Sequence, residues 1–198
     1  MRLGRIFFNQ DTIEVAKNLL GKFLVRSFGK NQEKLVGKIV ETEAYVGPDD
    51  RASHAAFGKT KRCAPMYEEA GTAYVYFIYG MYWMLNIVTE EKGKPCAVLI
   101  RAVEPVSGFP KNKNQNPKID LRKLGSGPGL LSKWMKIDGS FNGEDLVKSQ
   151  RLWVEEGTER VAPCQIVATK RIGVDYAGVW KNKKWRFYIK NNPFVSKK

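Results

Sequence analysis

The chain reads as one α+β domain: a largely antiparallel, curved β-sheet with flanking helices and a protruding β-hairpin. Three observations predict this. Runs rich in Val, Ile, Tyr and Phe follow one another with few helical patterns between them. Hydrophobic residues make up 43% of the 198 residues, enough for one core of ordinary size. No internal repeat or linker-like composition divides the chain, so the domain spans residues 1–198.

The elements follow in order. Asn9 or Asp11 can cap a short helix, since Ile13, Val15, Ala16, Leu19 and Leu20 recur at close to helical spacing and Gly21 ends it. Strands are predicted at 22–28, 35–45, 73–78, 82–89 and 96–103, where β-propensity is high. Residues 68–72 form a turn before the third, and Tyr79-Gly80 reverses the chain between the third and fourth. The basic, proline-bracketed stretch 109–118 is predicted to be a long surface loop. Gly127-Pro128-Gly129 opens a second helix carrying Leu130, Leu131, Trp134 and Met135, and strands return at 165–169 and 185–190.

Charge narrows the partners. Lys and Arg total 34 against 20 Asp and Glu, a net charge of +14. Such an excess attracts polyanions, nucleic acid first and acidic membrane second. The longest apolar run, 73–88, falls short of the roughly 20 residues of a spanning helix and contains Gly80, Asn86 and four tyrosines. Residues 1–9 show no sustained apolar leader. Cys63, Cys96 and Cys164 are odd in number and widely spaced, which fits neither a disulfide framework nor a zinc site. They read as inert thiols in a reducing, cytoplasmic setting, nucleoid-associated in a bacterium.

Two constellations can carry chemistry. On a strand Glu41, Glu43 and Tyr45 share one face, and acidic residues are depleted in strands. They are either a solvent-facing strand end paired with lysines, or a carboxylate held beside an aromatic and His54 as a general base. His54 is the only histidine, which excludes a His-based metal cluster within one chain. The second constellation is the aromatic run 74–86. Most of it reads as core, but Tyr79 or Met81 at a hairpin tip can wedge between base steps, and Tyr76 can stack on a base. Asn86 is either bonded to backbone or contacts a base edge. Arg101, inside an apolar run, requires a carboxylate such as Glu43 or Glu104, or a phosphate.

The motifs Glu-Thr-Glu-Ala-Tyr at 41–45 with Gly47-Pro48 and Asp50, then His54, the run from Gly71 to Tyr82 with Asn86, and Leu-Ile-Arg-Ala-Val-Glu-Pro at 99–105 resemble those of the alkyladenine (3-methylpurine) DNA glycosylase family. Residues 125–130, 171–174 and 186–188 extend the resemblance, in the right order, over most of the chain. It implies hydrolysis of the N-glycosidic bond of a flipped-out, alkylated or deaminated purine, without strand cleavage and without metal or cofactor. By motif, Glu43 would be the general base. Arg101 and the Ile172 carbonyl would hold the water, Arg101 also a backbone phosphate. Tyr45 would stack on one face of the base, with His54 and Tyr76 on the other. Asn86 would disfavour guanine, and Tyr79 with Met81 would fill the gap in the duplex. The implied partner is double-stranded DNA containing damaged purines, bound by a monomer without membrane attachment. Two other readings compete. One is a non-catalytic binder of distorted nucleic acid, for which Glu43 is dispensable. The other is a metal-dependent nuclease using Glu41, Glu43 and Asp49 or Asp50.

Overall fold

Thirteen consecutive extended residues, β2 (Glu33–Tyr45), organise the molecule. One edge of β2 pairs antiparallel with β5 (Cys96–Ser107) from Val36 to Tyr45. The other edge is divided: its first half pairs with β1 (Phe23–Phe28) and residues 41–43 pair with β8 (Arg186–Ile189). Register shifts against β5 between Ile39 and Thr42 mark a bulge at that changeover, where extra twist re-aims side chains.

The computed structural model describes residues 1–29, 32–108 and 120–197. The predicted loop at 109–118 lies outside the described residues. Four α-helices are present among those described: α1 (Arg5–Phe8), α2 (Thr12–Asn18), α3 (Arg122–Gly125) and α4 (Pro128–Trp134); short 3-10 helices lie between elements, one of them (His54–Phe57) carrying His54. The remaining strands are β3 (Ala73–Ile78), β4 (Tyr82–Thr89), β6 (Leu152–Glu155) and β7 (Ile166–Thr169). All eight strands join one antiparallel sheet in the order β3-β4-β5-β2-β1-β6, with β7 attached through β8. The α+β expectation holds. None of the described helices is long and apolar enough to cross a membrane.

The local reasons are those of the residues. The Asp11 carboxylate accepts from the N–H groups of Ile13 and Glu14 at 2.9 and 3.1 Å, so Asp11 rather than Asn9 caps α2. Val15, Ala16 and Leu19 from this segment reach the main core, joined there by Leu131, Trp134 and Met135 from α4. The Thr42 hydroxyl donates to the Ala16 carbonyl at 2.8 Å, tying α2 to β2. Tyr79 and Gly80 both take positive φ, 54° and 66°, and the Met81 N–H donates to the Ile78 carbonyl at 3.2 Å. This is the reversal predicted between β3 and β4.

Three expectations change, and the reading of the cysteines holds for two of the three. Glu41 and Glu43 are fully buried, not a solvent-facing strand end beside lysines. Glu104 does not serve Arg101; it pairs with Lys38 at 3.2 Å and accepts from Asn192 at 3.0 Å. Cys63 and Cys96 are buried, and burial pushes the Cys96 thiol up to about 12. Cys164, by contrast, is exposed. Finally, α1, α3 and β6 are elements that the sequence pattern does not announce.

Gly129 sets how closely α4 approaches β4. A Cβ there would stand 2.5 Å from the Tyr82 ring, at the root of the hairpin. Gly129→Ala is therefore expected to lower unfolding free energy by about 1–3 kcal/mol through overpacking, read from urea denaturation. Wild-type stability would show that α4 does not seat against Tyr82.

Candidate active site

Strands β2, β3, β4 and β5 and the turn after β7 bring side chains far apart in sequence around one cavity of about 300 Å³, the lower end of the range for ligand pockets. Tyr45, His54, Tyr76, Asn86, Arg101 and Ile172 all line it, and Tyr79 stands at its rim. Met81 does not: it lies in a neighbouring groove with Tyr82, Gly129 and Lys133. Tyr79 is 80% and Met81 63% exposed, so both project from the hairpin tip.

Glu43 stands directly behind this wall, with no exposed surface. Its Oε1 accepts from the Ile172 N–H at 2.7 Å and lies 3.4 Å from an Arg101 Nη. Its Oε2 accepts from the Tyr45 hydroxyl at 2.9 Å. Burial raises the Glu43 pKa above 4.5, opposed by Arg101, the Ile172 N–H and the Tyr45 hydroxyl. A carboxylate fixed in this way, with lone pairs still available, can accept a proton.

Glu41 shares the same guanidinium. Its Oε1 accepts from Arg101 Nε at 3.1 Å and from an Arg186 Nη at 2.8 Å. Burial works against the Arg101 charge, but Glu43 and Glu41 more than offset it, so Arg101 stays protonated. Asp50, the other carboxylate of the nuclease reading, is occupied by Arg171 in a bidentate pair at 2.5 and 2.8 Å, both side chains fully buried. Among the described residues no three His, Cys, Asp or Glu side chains gather as a metal site.

The aromatic walls are also held. The Arg171 guanidinium stacks 4.8 Å from the Tyr45 ring centroid and 5.1 Å from that of Trp185, so a cation backs the ring that faces the cavity. Opposite, His54 meets Tyr76 edge to face at 4.6 Å and bonds the Tyr74 hydroxyl through Nδ1 at 2.7 Å. Burial, with a smaller effect from Arg62, lowers the His54 pKa to about 4, so the ring is neutral near pH 7. Burial and the Glu43 charge push Tyr76 up to about 12. Asn86 donates from Nδ2 to the Tyr74 carbonyl at 3.1 Å, and among the described residues nothing donates to its Oδ1. Both readings of Asn86 thus have a basis: one end satisfied by backbone, the other in the cavity wall. The sequence does not point to Tyr74 and Tyr176, which also line the cavity, or to the Asp50–Arg171 pair. An Asp within a glycosylase-like motif and an Arg within another were the available signal, but nothing in either segment shows that they meet.

A family model described as methylpurine-DNA glycosylase matches residues 6–193. A protein of Clostridium perfringens named "Putative 3-methyladenine DNA glycosylase" is 46% identical over 207 aligned positions, covering all of both chains. Proteins of the same name from Natranaerobius thermophilus and Methanocella arvoryzae are 45% and 49% identical. The alignments cover 99% of this chain in both cases, and 99% and 96% of those proteins respectively.

The buried pair behind Tyr45 is testable without any reaction. Removing one member of such a pair strands the other charge, at a cost of about 3–5 kcal/mol. Asp50→Ala is expected to destabilise the fold by that amount in urea titration. A loss under 1 kcal/mol would mean that Arg171 finds another partner.

Proposed function

The chain belongs to the methylpurine-DNA glycosylase family, and from that premise we propose that it is a DNA repair glycosylase that excises alkylated or deaminated purines, 3-methyladenine among them, from duplex DNA. The observation that carries this reading is a buried carboxylate, Glu43, held by Tyr45, Arg101 and the Ile172 N–H behind an aromatic-walled cavity.

The lesion lies inside a duplex and reaches such a cavity only by flipping out. The flipped purine stacks on Tyr45, backed by Arg171, and on His54 and Tyr76 opposite. Neutral His54 accommodates a cationic base without repulsion. Alkylation makes the purine electron-poor, which favours aromatic faces, and makes it a better leaving group. The glycosidic bond breaks with its electron pair going to the base while positive charge develops on the sugar. Water supplies the oxygen to the anomeric carbon, and Glu43 takes its proton. The Glu43 charge also stabilises the sugar cation. Arg101 and the Ile172 carbonyl orient the water, and Arg101 also contacts a phosphate. Asn86 occupies the space of a guanine 2-amino group. Tyr79, flanked by Met81, fills the vacated position in the stack. The products are free base and an abasic site in an unbroken strand, and the enzyme acts as a monomer.

The direct experiment is incubation with a duplex containing 3-methyladenine or hypoxanthine in EDTA, assayed for free base and then for alkali-labile sites. Release of base with intact strands is expected. Failure to release base, or strand breaks without it, would overturn the reading.

Glu43→Gln is expected to reduce base release by at least about 10²–10⁴-fold while lesion binding persists, because Gln keeps the shape but accepts no proton. The carboxylate form is the active one, so wild-type activity falls as pH drops through the Glu43 pKa, above 4.5. A kcat/KM profile lacking that acid limb, or a near wild-type Glu43→Gln, would remove Glu43 from the role.

Tyr79→Ser is expected to leave the melting temperature unchanged, since the side chain is 80% exposed. It should weaken lesion-duplex binding and slow base release, less so where the lesion is already unpaired. An equal loss on lesion and undamaged duplex would reduce Tyr79 to an ordinary surface contact.

A further inference from the structure

Glu41 has no exposed surface, yet it touches neither the cavity nor solvent. Besides Arg101 and Arg186 it meets a segment with no part in the proposed chemistry. After β8 the chain turns back, and residues 195–197 run against the buried end of β2. The Ser196 N–H donates to Glu41 Oε2 at 2.7 Å. Arg186, whose Nη donates to Glu41 Oε1, donates from the same Nη to the Lys197 carbonyl at 2.7 Å. Arg101 Nη2 reaches the Ser196 hydroxyl at 3.4 Å, and the Ser126 hydroxyl donates to the Val195 carbonyl at 3.4 Å. Val195 is itself buried.

We infer that Glu41 is a positioning residue for Glu43, and that residues 195–197 are a strap whose backbone fixes Glu41 so that Arg101 divides its charge between the two carboxylates. The inference rests on the reading of Glu43 as the base. The argument is competition for one guanidinium. Arg101 donates to Glu41 from Nε at 3.1 Å and faces Glu43 as an ion pair, with Nη1 at the longer 3.4 Å. Whatever Glu41 lacks from Ser196 and Arg186 it must draw from Arg101, and Arg101 is the main opponent of burial in setting the Glu43 pKa. The other charged or titratable groups facing Glu43 are Tyr45 beside it on β2, Tyr76 on β3, and Arg171 and Tyr176 beyond β7.

The two sides of this arrangement predict opposite shifts. Glu41→Gln keeps an acceptor for Arg101 but removes the competing charge. The acid limb of the kcat/KM profile for base release should then move down by about one pH unit. Ser196→Pro withdraws the N–H from Glu41, which then pulls Arg101 away from Glu43, and the limb should move up. Ser196→Ala removes only the hydroxyl near Arg101 and serves as the control; beyond its effect, Ser196→Pro should add nothing in the double variant, because the lost N–H acts through the Glu41 charge. A strap that merely holds the fold together would reduce activity equally at every pH and equally in both backgrounds. That outcome, or a Glu41→Gln limb that does not move, overturns the inference. If Ser196→Pro fails to fold by circular dichroism, Glu41→Gln alone decides. Glu43→Gln, run alongside, separates the two levels: if it retains activity the assignment of the base fails, whereas an inactive Glu43→Gln with unmoved limbs overturns the strap alone.

Discussion

Two carboxylates with no solvent contact share one guanidinium, and much of the molecule is arranged to make that tolerable. Burying Glu41, Glu43 and Arg101 together is costly unless every charge is paired and the spare lone pairs are used. The partners come from four places: Arg186 on β8, the Ile172 N–H after β7, the Tyr45 hydroxyl on β2 itself, and the Ser196 N–H. This is why β2 pairs with β8 at residues 41–43. The division of one strand edge between β1 and β8 lets the same extended segment serve both the core and the site.

A second buried ion pair, Asp50–Arg171, does different work. It does not touch Glu43. It joins the loop after β2 to the turn after β7 and places a cation behind Tyr45. A ring so backed is fixed in orientation. The same cation disfavours a second positive charge on that side of the cavity, whereas the His54–Tyr76 wall opposite is neutral near pH 7.

Much of this was legible in the sequence, and the limits have physical causes. Strand alternation put Glu41, Glu43 and Tyr45 on one face, and the structure has them there. Tyr79-Gly80 announced a hairpin because glycine readily takes the positive φ that such a tight reversal uses. The convergence of Tyr45, His54, Tyr76, Asn86, Arg101 and Ile172 on one cavity came from the resemblance and not from any spacing. What stayed hidden were pairings across long stretches of chain. Asp50 shows no sign of Arg171, and nothing at Ser196 points to Glu41. The alternatives for Glu43 could not be separated either, because alternation fixes which residues share a face and not whether that face is wet. Glu104 was a reasonable partner for Arg101 by proximity in sequence, but Lys38 stands opposite it on β2 and takes it.

The pairing of β8 with residues 41–43 also governs when the site can come into being. Contacts of such wide separation along the chain carry a large loop-closure entropy and form late. The β1–β2 and β3–β4 hairpins are local and can assemble early. The buried carboxylates gain Arg186 and the Ile172 N–H only once the chain beyond β7 has docked. Until then Glu41 and Glu43 lie on a sheet edge open to water, where ionised carboxylates are at no disadvantage. A chain still lacking the part beyond β7 thus has β2–β5 and most of the cavity wall but neither Arg186 nor the Ile172 N–H beside its carboxylates, and the site is complete only in the finished molecule.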